Sequence, residues 1–132
     1  MKDIIIVGTS KAGFLHFKSY NKLSNVGKIF FTDIKENASN KNIKTKKIYK
    51  SIIDTLSHNL NSNNIIVDIC TPKEEFYNII NQCISLDINN IIVEKPFIAS
   101  KDFFNQYPNL HILMVQNYLY SNIISEIKKK IE

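Results

Sequence analysis

The stretch Ile4-Ile5-Ile6-Val7-Gly8-Thr9-Ser10-Lys11-Ala12-Gly13 decides how this chain is read. Four β-branched residues in a row, with charge before them and glycine after them, read as a strand buried on both faces. A helix over residues 13–23 follows, with Phe14, Phe17 and Tyr20 on one face. Strand, glycine turn and helix in this order form the setting in which a helix N-terminus receives a phosphate. Gly8 permits the tight turn, the backbone amides of Ser10, Lys11 and Ala12 face the anion, and Gly13 lets helix and strand pack closely. Ser10 stands where such turns usually carry a second glycine. Its side chain is small enough for close approach and can also donate its hydroxyl. Taken alone, the stretch fits a purely structural turn equally well.

Working outward, strands are predicted at residues 28–32, 48–49, 65–70, 91–94 and 110–115, each a short apolar run. Helices are predicted at 51–60, 72–86, 100–107 and 119–131. The second of these carries Phe76, Ile79, Ile80, Cys83 and Ile84 on its inner face, with Pro72 suited to its first turn. Ser100 caps the third. The last has a stripe of Leu119, Ile123, Ile124, Ile127 and Ile131, and its final turn holds Lys128, Lys129 and Lys130. Residues 33–47 are rich in Lys and Asn, with Ile34 and Ile43 as apolar anchors, and read as a loop. Strands alternating with helices predict an α/β fold, a doubly wound parallel sheet of six strands in a single domain.

Composition bounds the rest. A chain of 132 residues and 44% hydrophobic content has room for one core, so residues 1–132 are expected to form one dinucleotide-binding domain. All 17 basic residues are Lys, and they are spread along the chain. The net charge of +5 thus reads as a solvated basic surface. Arg, the side chain suited to bidentate base and phosphate contacts, is absent, so no nucleic-acid partner is expected. Cys70 and Cys83 lie within apolar patterns and in no Cys/His grouping, which predicts reduced buried thiols and no metal. The apolar run before Gly8 is too short for a secretion signal, and no other run has membrane length. A cytoplasmic protein without a membrane partner is expected.

Three further features lie at predicted strand ends. Asp33 follows the second strand, 25 residues beyond Gly8. A carboxylate there accepts hydrogen bonds from the ribose hydroxyls of a dinucleotide and repels a 2′-phosphate, which favours NAD over NADP. Lys35 beside it weakens that preference, so NADP stays open. Cys70-Thr71-Pro72 follows the fourth strand and Glu94-Lys95-Pro96 the fifth, both at the carboxyl edge where such sheets bind ligands. His16, one helical turn beyond Gly13, is expected to pack beneath the glycine turn and bond to backbone. His58 and His111 have no neighbours that mark a site.

These pieces together resemble the Gfo/Idh/MocA oxidoreductases, a resemblance that runs over roughly residues 2–131. It is carried by Gly8-x-Ser10-x-x-Gly13-x-x-His16, then Asp33, Thr71-Pro72 and Val93-Glu94-Lys95-Pro96, with Glu-Lys-Pro the specific element. The resemblance implies a Rossmann domain and hydride transfer between a nicotinamide cofactor and a sugar- or cyclitol-like substrate. It implies that Thr71-Pro72 lie along the nicotinamide half, that Glu94 is a cofactor-binding residue, and that Lys95 contacts cofactor and substrate as the catalytic residue. The segment 115–118 is similar to the one that leaves the sixth strand for a second domain. Phe76 departs from the family, which often has His there. The large family substrate domain does not follow within the 132 residues. Two functions therefore stand side by side, a cofactor domain of an oxidoreductase and a non-catalytic nucleotide-binding or protein-interaction module. Around Tyr118, Leu119 and Tyr120 apolar surface is expected to favour a homo-oligomer or a partner subunit.

Overall fold

The computed structural model describes residues 1–34, 42–43, 46–58 and 60–116. Its first strand, β1 (Lys2–Val7), lies at the middle of the sheet, and Ile4, Ile5 and Ile6 are buried there. Strands β2 (Val26–Thr32) and β3 (Ile48–Tyr49) extend the sheet to one side. Strands β4 (Ile65–Ile69), β5 (Asn90–Val93) and β6 (His111–Met114) extend it to the other. The order is β3-β2-β1-β4-β5-β6 and all neighbours are parallel. This is the doubly wound Rossmann sheet that the residue pattern predicts. β-branched residues explain it: their stiff side chains pack well on a pleated surface covered from both sides.

Helix α1 (Lys11–Tyr20) covers one face, while α2 (Ile52–Leu56) and α3 (Phe76–Ser85) cover the other. A short α4 (Lys101–Gln106) precedes β6. Alternation along β1 divides the core. Ile5 and Val7 pack with Val67, Ile69, Val93 and the inner side chains of α3. Ile4 and Ile6 pack with Phe31, Ile43 and Cys70, and with Phe14 and Phe17 of α1. Ile43 is fully buried, as expected for an anchor of its loop. Each of these large apolar side chains contributes roughly 1.5–3 kcal/mol on burial.

Helix ends differ from the pattern for local reasons. The first helix begins at Lys11, two residues before Gly13, because extended Ser10 is already its N-cap residue. It stops at Tyr20, where the Asn21 side chain donates to the Phe17 carbonyl at 2.8 Å. The helix over 51–60 shortens to α2, closing where the Ser57 hydroxyl donates to the Asp54 carbonyl at 2.7 Å. The helix over 72–86 opens as a separate 3₁₀ turn, Lys73–Glu75. The predicted helix over 119–131, the charged residue Lys35 and the surface around Tyr118, Leu119 and Tyr120 lie outside the described residues.

Register positions the site. Val7 pairs with Thr32 on one side and with Ile69 on the other, and Ile69 pairs with Val93. The ladder runs one residue further: Gly8 N–H donates to Thr32, Cys70 N–H to Val7 and Glu94 N–H to Ile69. Gly8, Asp33, Cys70-Thr71 and Glu94-Lys95 thus leave the sheet along one carboxyl edge, at the point between β1 and β4 where strand order reverses.

Candidate functional site

Gly8 has φ +105°, and a Cβ there would sit 2.8 Å from the Cys70 carbonyl oxygen. A Cβ on Gly13 would collide with the Gly8 carbonyl. Both positions need glycine, because the turn is pressed between β4 and the first turn of α1. The first helical hydrogen bond runs from Phe14 N–H to the Ser10 carbonyl at 3.1 Å. The amides of Lys11, Ala12 and Gly13 precede it and have no acceptor within the helix. No acidic residue lies in that first turn, so the positive end of the helix is not compensated locally. The Ser10 hydroxyl makes no cap and donates weakly to the Cys70 carbonyl at 3.4 Å.

Asp33 is held by a residue that the sequence pattern did not single out. Thr9 N–H donates to Asp33 Oδ2 at 2.9 Å, and the Thr9 hydroxyl donates to the same oxygen at 2.6 Å. Thr9 is fully buried, so the carboxylate is anchored to the glycine turn itself. Between them opens a groove of about 560 Å³ whose lining includes Gly8, Ser10, Asp33, Thr71 and Pro72. Thr71 Oγ1 is buried with no hydrogen-bond partner among the described residues. An orphaned buried hydroxyl is costly unless something meets it.

Of the predicted site residues, five therefore share one groove. Lys11 and Gly13 lie in the first turn of α1 without lining it, and Ala12 and Glu94 border a separate depression beside that helix. Lys95 is exposed beside Glu94.

His16 corrects its expectation. It faces two carboxylates instead of backbone. Nδ1 lies 2.8 Å from Asp68 Oδ2, and Nε2 lies 2.9 Å from Glu94 Oε1. The reason is Asp68, a fully buried acid in the middle of β4 on the face that α1 covers. A buried carboxylate needs donors, and Tyr20 supplies a second through its hydroxyl at 2.7 Å. The Cys70 thiol adds a third at 3.6 Å. Cys70 thus belongs to a Cys/His/Asp cluster that its sequence surroundings do not announce. The hydrogen bond to Asp68 raises the His16 pKa above 6.5, burial opposes the rise, and Glu94 adds to it. Burial and the Asp68 charge push the Tyr20 hydroxyl and the Cys70 thiol upward. A single acid inside Ile65-Ile66-Val67-Asp68-Ile69 was the available signal for this cluster.

The sheet order and its carboxyl-edge groove define a Rossmann-type α/β architecture. Solved structures share that fold. An NAD-binding protein from Listeria innocua superimposes with TM-score 0.73 at 23% identity, over 98% of this chain and 40% of its own. UDP-N-acetylglucosamine 3-dehydrogenase GnnA from Acidithiobacillus ferrooxidans gives 0.70 at 15% identity, over 97% of this chain and 42% of its own. GenD2 from gentamicin A biosynthesis, solved in complex with NAD, gives 0.70 at 18% identity, over 92% and 36%. The chain thus spans well under half the length of these proteins. No protein-family model matches the sequence, and no curated protein matches it. Among the described residues, no helix is long and apolar enough to cross a membrane.

Proposed function

We propose that the chain is the NAD(P)-binding domain of an oxidoreductase of the Gfo/Idh/MocA type, acting on a sugar- or cyclitol-like substrate. The observation that carries this reading is the groove at the strand-order reversal. A positive-φ glycine, an anchored carboxylate and an orphaned hydroxyl converge there. The shared fold with NAD-binding proteins supports it.

In this reading the pyrophosphate lies against the amides that open α1, which stabilise its charge without a positively charged side chain. Asp33 accepts from the ribose hydroxyls, its orientation held by Thr9. NAD is thereby preferred, since a 2′-phosphate meets a carboxylate. Thr71 Oγ1 and Pro72 line the path of the nicotinamide half. The bound cofactor supplies the site for hydride transfer at its nicotinamide ring. Lys95 lies at the same edge, where its ammonium can hydrogen-bond a substrate oxygen and polarise it. A second reading, a nucleotide-binding module without catalysis, is favoured by Ser10, whose side chain occupies the position of closest phosphate approach.

Calorimetry with NADH and NADPH tests the reading. Removing the Asp33 hydrogen bonds in Asp33→Ala weakens NADH binding about tenfold or more, the worth of one bond to a charged group. Asp33→Ser gains affinity for NADPH. Absence of dinucleotide binding at about millimolar concentration excludes both readings. Dinucleotide binding is common to both readings, and turnover of a sugar or cyclitol that is lost in Lys95→Ala selects the first.

A further inference from the structure

His16 lies where α1, β4 and the end of β5 meet. The titratable groups facing its ring are Asp68 on β4, Cys70 just after β4, Glu94 after β5, and Tyr20 one turn along its own helix. A neutral imidazole has one N–H. With both nitrogens within 3 Å of a carboxylate oxygen, a neutral ring would turn a lone pair onto one of them. Asp68 accepts from the Tyr20 hydroxyl and, at longer range, from the Cys70 thiol. Glu94 Oε2 accepts the Lys95 backbone N–H at 3.3 Å, and its Oε1 faces His16. An imidazolium, which donates from both nitrogens, meets both carboxylates at once.

We propose that this imidazolium is a positioning element for the Glu94-Lys95-Pro96 turn. His16 holds one oxygen of Glu94, the other oxygen holds the Lys95 amide, and the turn that carries Lys95 is thereby tied to the first helix. The consequence for ligand binding rests on the nucleotide reading above. The two protons of the ring are not equivalent. Asp68 is fully buried, whereas the Glu94 side chain is 22% exposed. Deprotonation accordingly removes the proton facing Glu94, sets a nitrogen lone pair against that carboxylate and releases the turn. The dinucleotide is held firmly below the His16 pKa and more loosely above it.

The test reads the ring and the ligand separately. Nitrogen-detected NMR of the wild type follows the His16 ring. Both nitrogens are expected to be protonated at about pH 6.5, with a midpoint above the ordinary histidine value of about 6.5, and Glu94→Gln lowers that midpoint. A midpoint at or below the ordinary value, or one unmoved by Glu94→Gln, overturns the tether. NADH affinity is then measured from about pH 6 to about pH 9, and a loss of about tenfold is expected across the titration. In His16→Gln the affinity stays at the weak level and its pH profile is flat, while His111→Gln, at an exposed site on β6, keeps the wild-type profile. Retention of wild-type affinity and profile in His16→Gln overturns the positioning role. If the wild type binds NADH at no pH, the nucleotide reading fails, and the ring titration still decides the tether.

Discussion

At Gly8 the backbone adopts φ +105° with the Cys70 carbonyl directly beneath it, so conformation and close packing demand the same residue. Gly8→Ala is expected to destabilise the fold by roughly 1–3 kcal/mol, read as a lower urea midpoint with an unchanged slope. An unchanged midpoint would show that the turn relaxes freely. The placement of Gly8, Asp33 and Thr71-Pro72 at one sheet edge was legible because each follows an apolar strand, and parallel register carries strand ends to one edge. Thr9 was not legible, since its role depends on Asp33 arriving 24 positions later. Asp68, a lone acid in an apolar strand, was passed over when that strand was read from its hydrophobic run. Its partners were not legible, because His16 and Tyr20 precede it by 52 and 48 positions. Only the packing of α1 on β4 brings them there.

Helix α3 shows how well strong periodicity survives folding. Phe76, Ile79, Ile80 and Cys83, named from spacing, are its buried residues. Ile80 is fully buried against the central strands. Ile80→Ala is expected to cost about 2–5 kcal/mol, measurable by thermal or urea unfolding, whereas an effect below about 1 kcal/mol would mean that the cluster collapses around the gap. Weaker elements followed the pattern less closely. Helix α2 lost its last turn where a serine hydroxyl bonded a helical carbonyl, and such competition between side chain and backbone is invisible to hydrophobic spacing. Capping was the exception: Ser100, read as a cap, accepts from Phe103 N–H at 3.2 Å. Strand boundaries moved by only a residue or two, because β-branched runs between polar stops leave little choice.

At the scale of the whole molecule, the two sheet faces each bury one thiol. Cys83 belongs to the larger core cluster and Cys70 to the smaller. Burial pushes the Cys83 thiol up to about 12 and raises Cys70 as well, helped by the Asp68 charge. Only a thiolate reacts readily, so a disulfide reagent at neutral pH is expected to label neither cysteine in the folded protein and both in urea. Fast labelling of either thiol without denaturant would contradict the packing of that face. By itself the sequence determined the element order, the parallel α/β class and the positions of the strand-end motifs, since these follow from local hydrophobic patterns and backbone preferences. Tertiary structure alone decided which of those motifs share a groove and which border a separate depression. It also decided that His16 lies between Asp68 and Glu94. The reason is physical: a buried charge must find its partners across the fold, and the distance in sequence between them carries no periodicity that could announce the meeting.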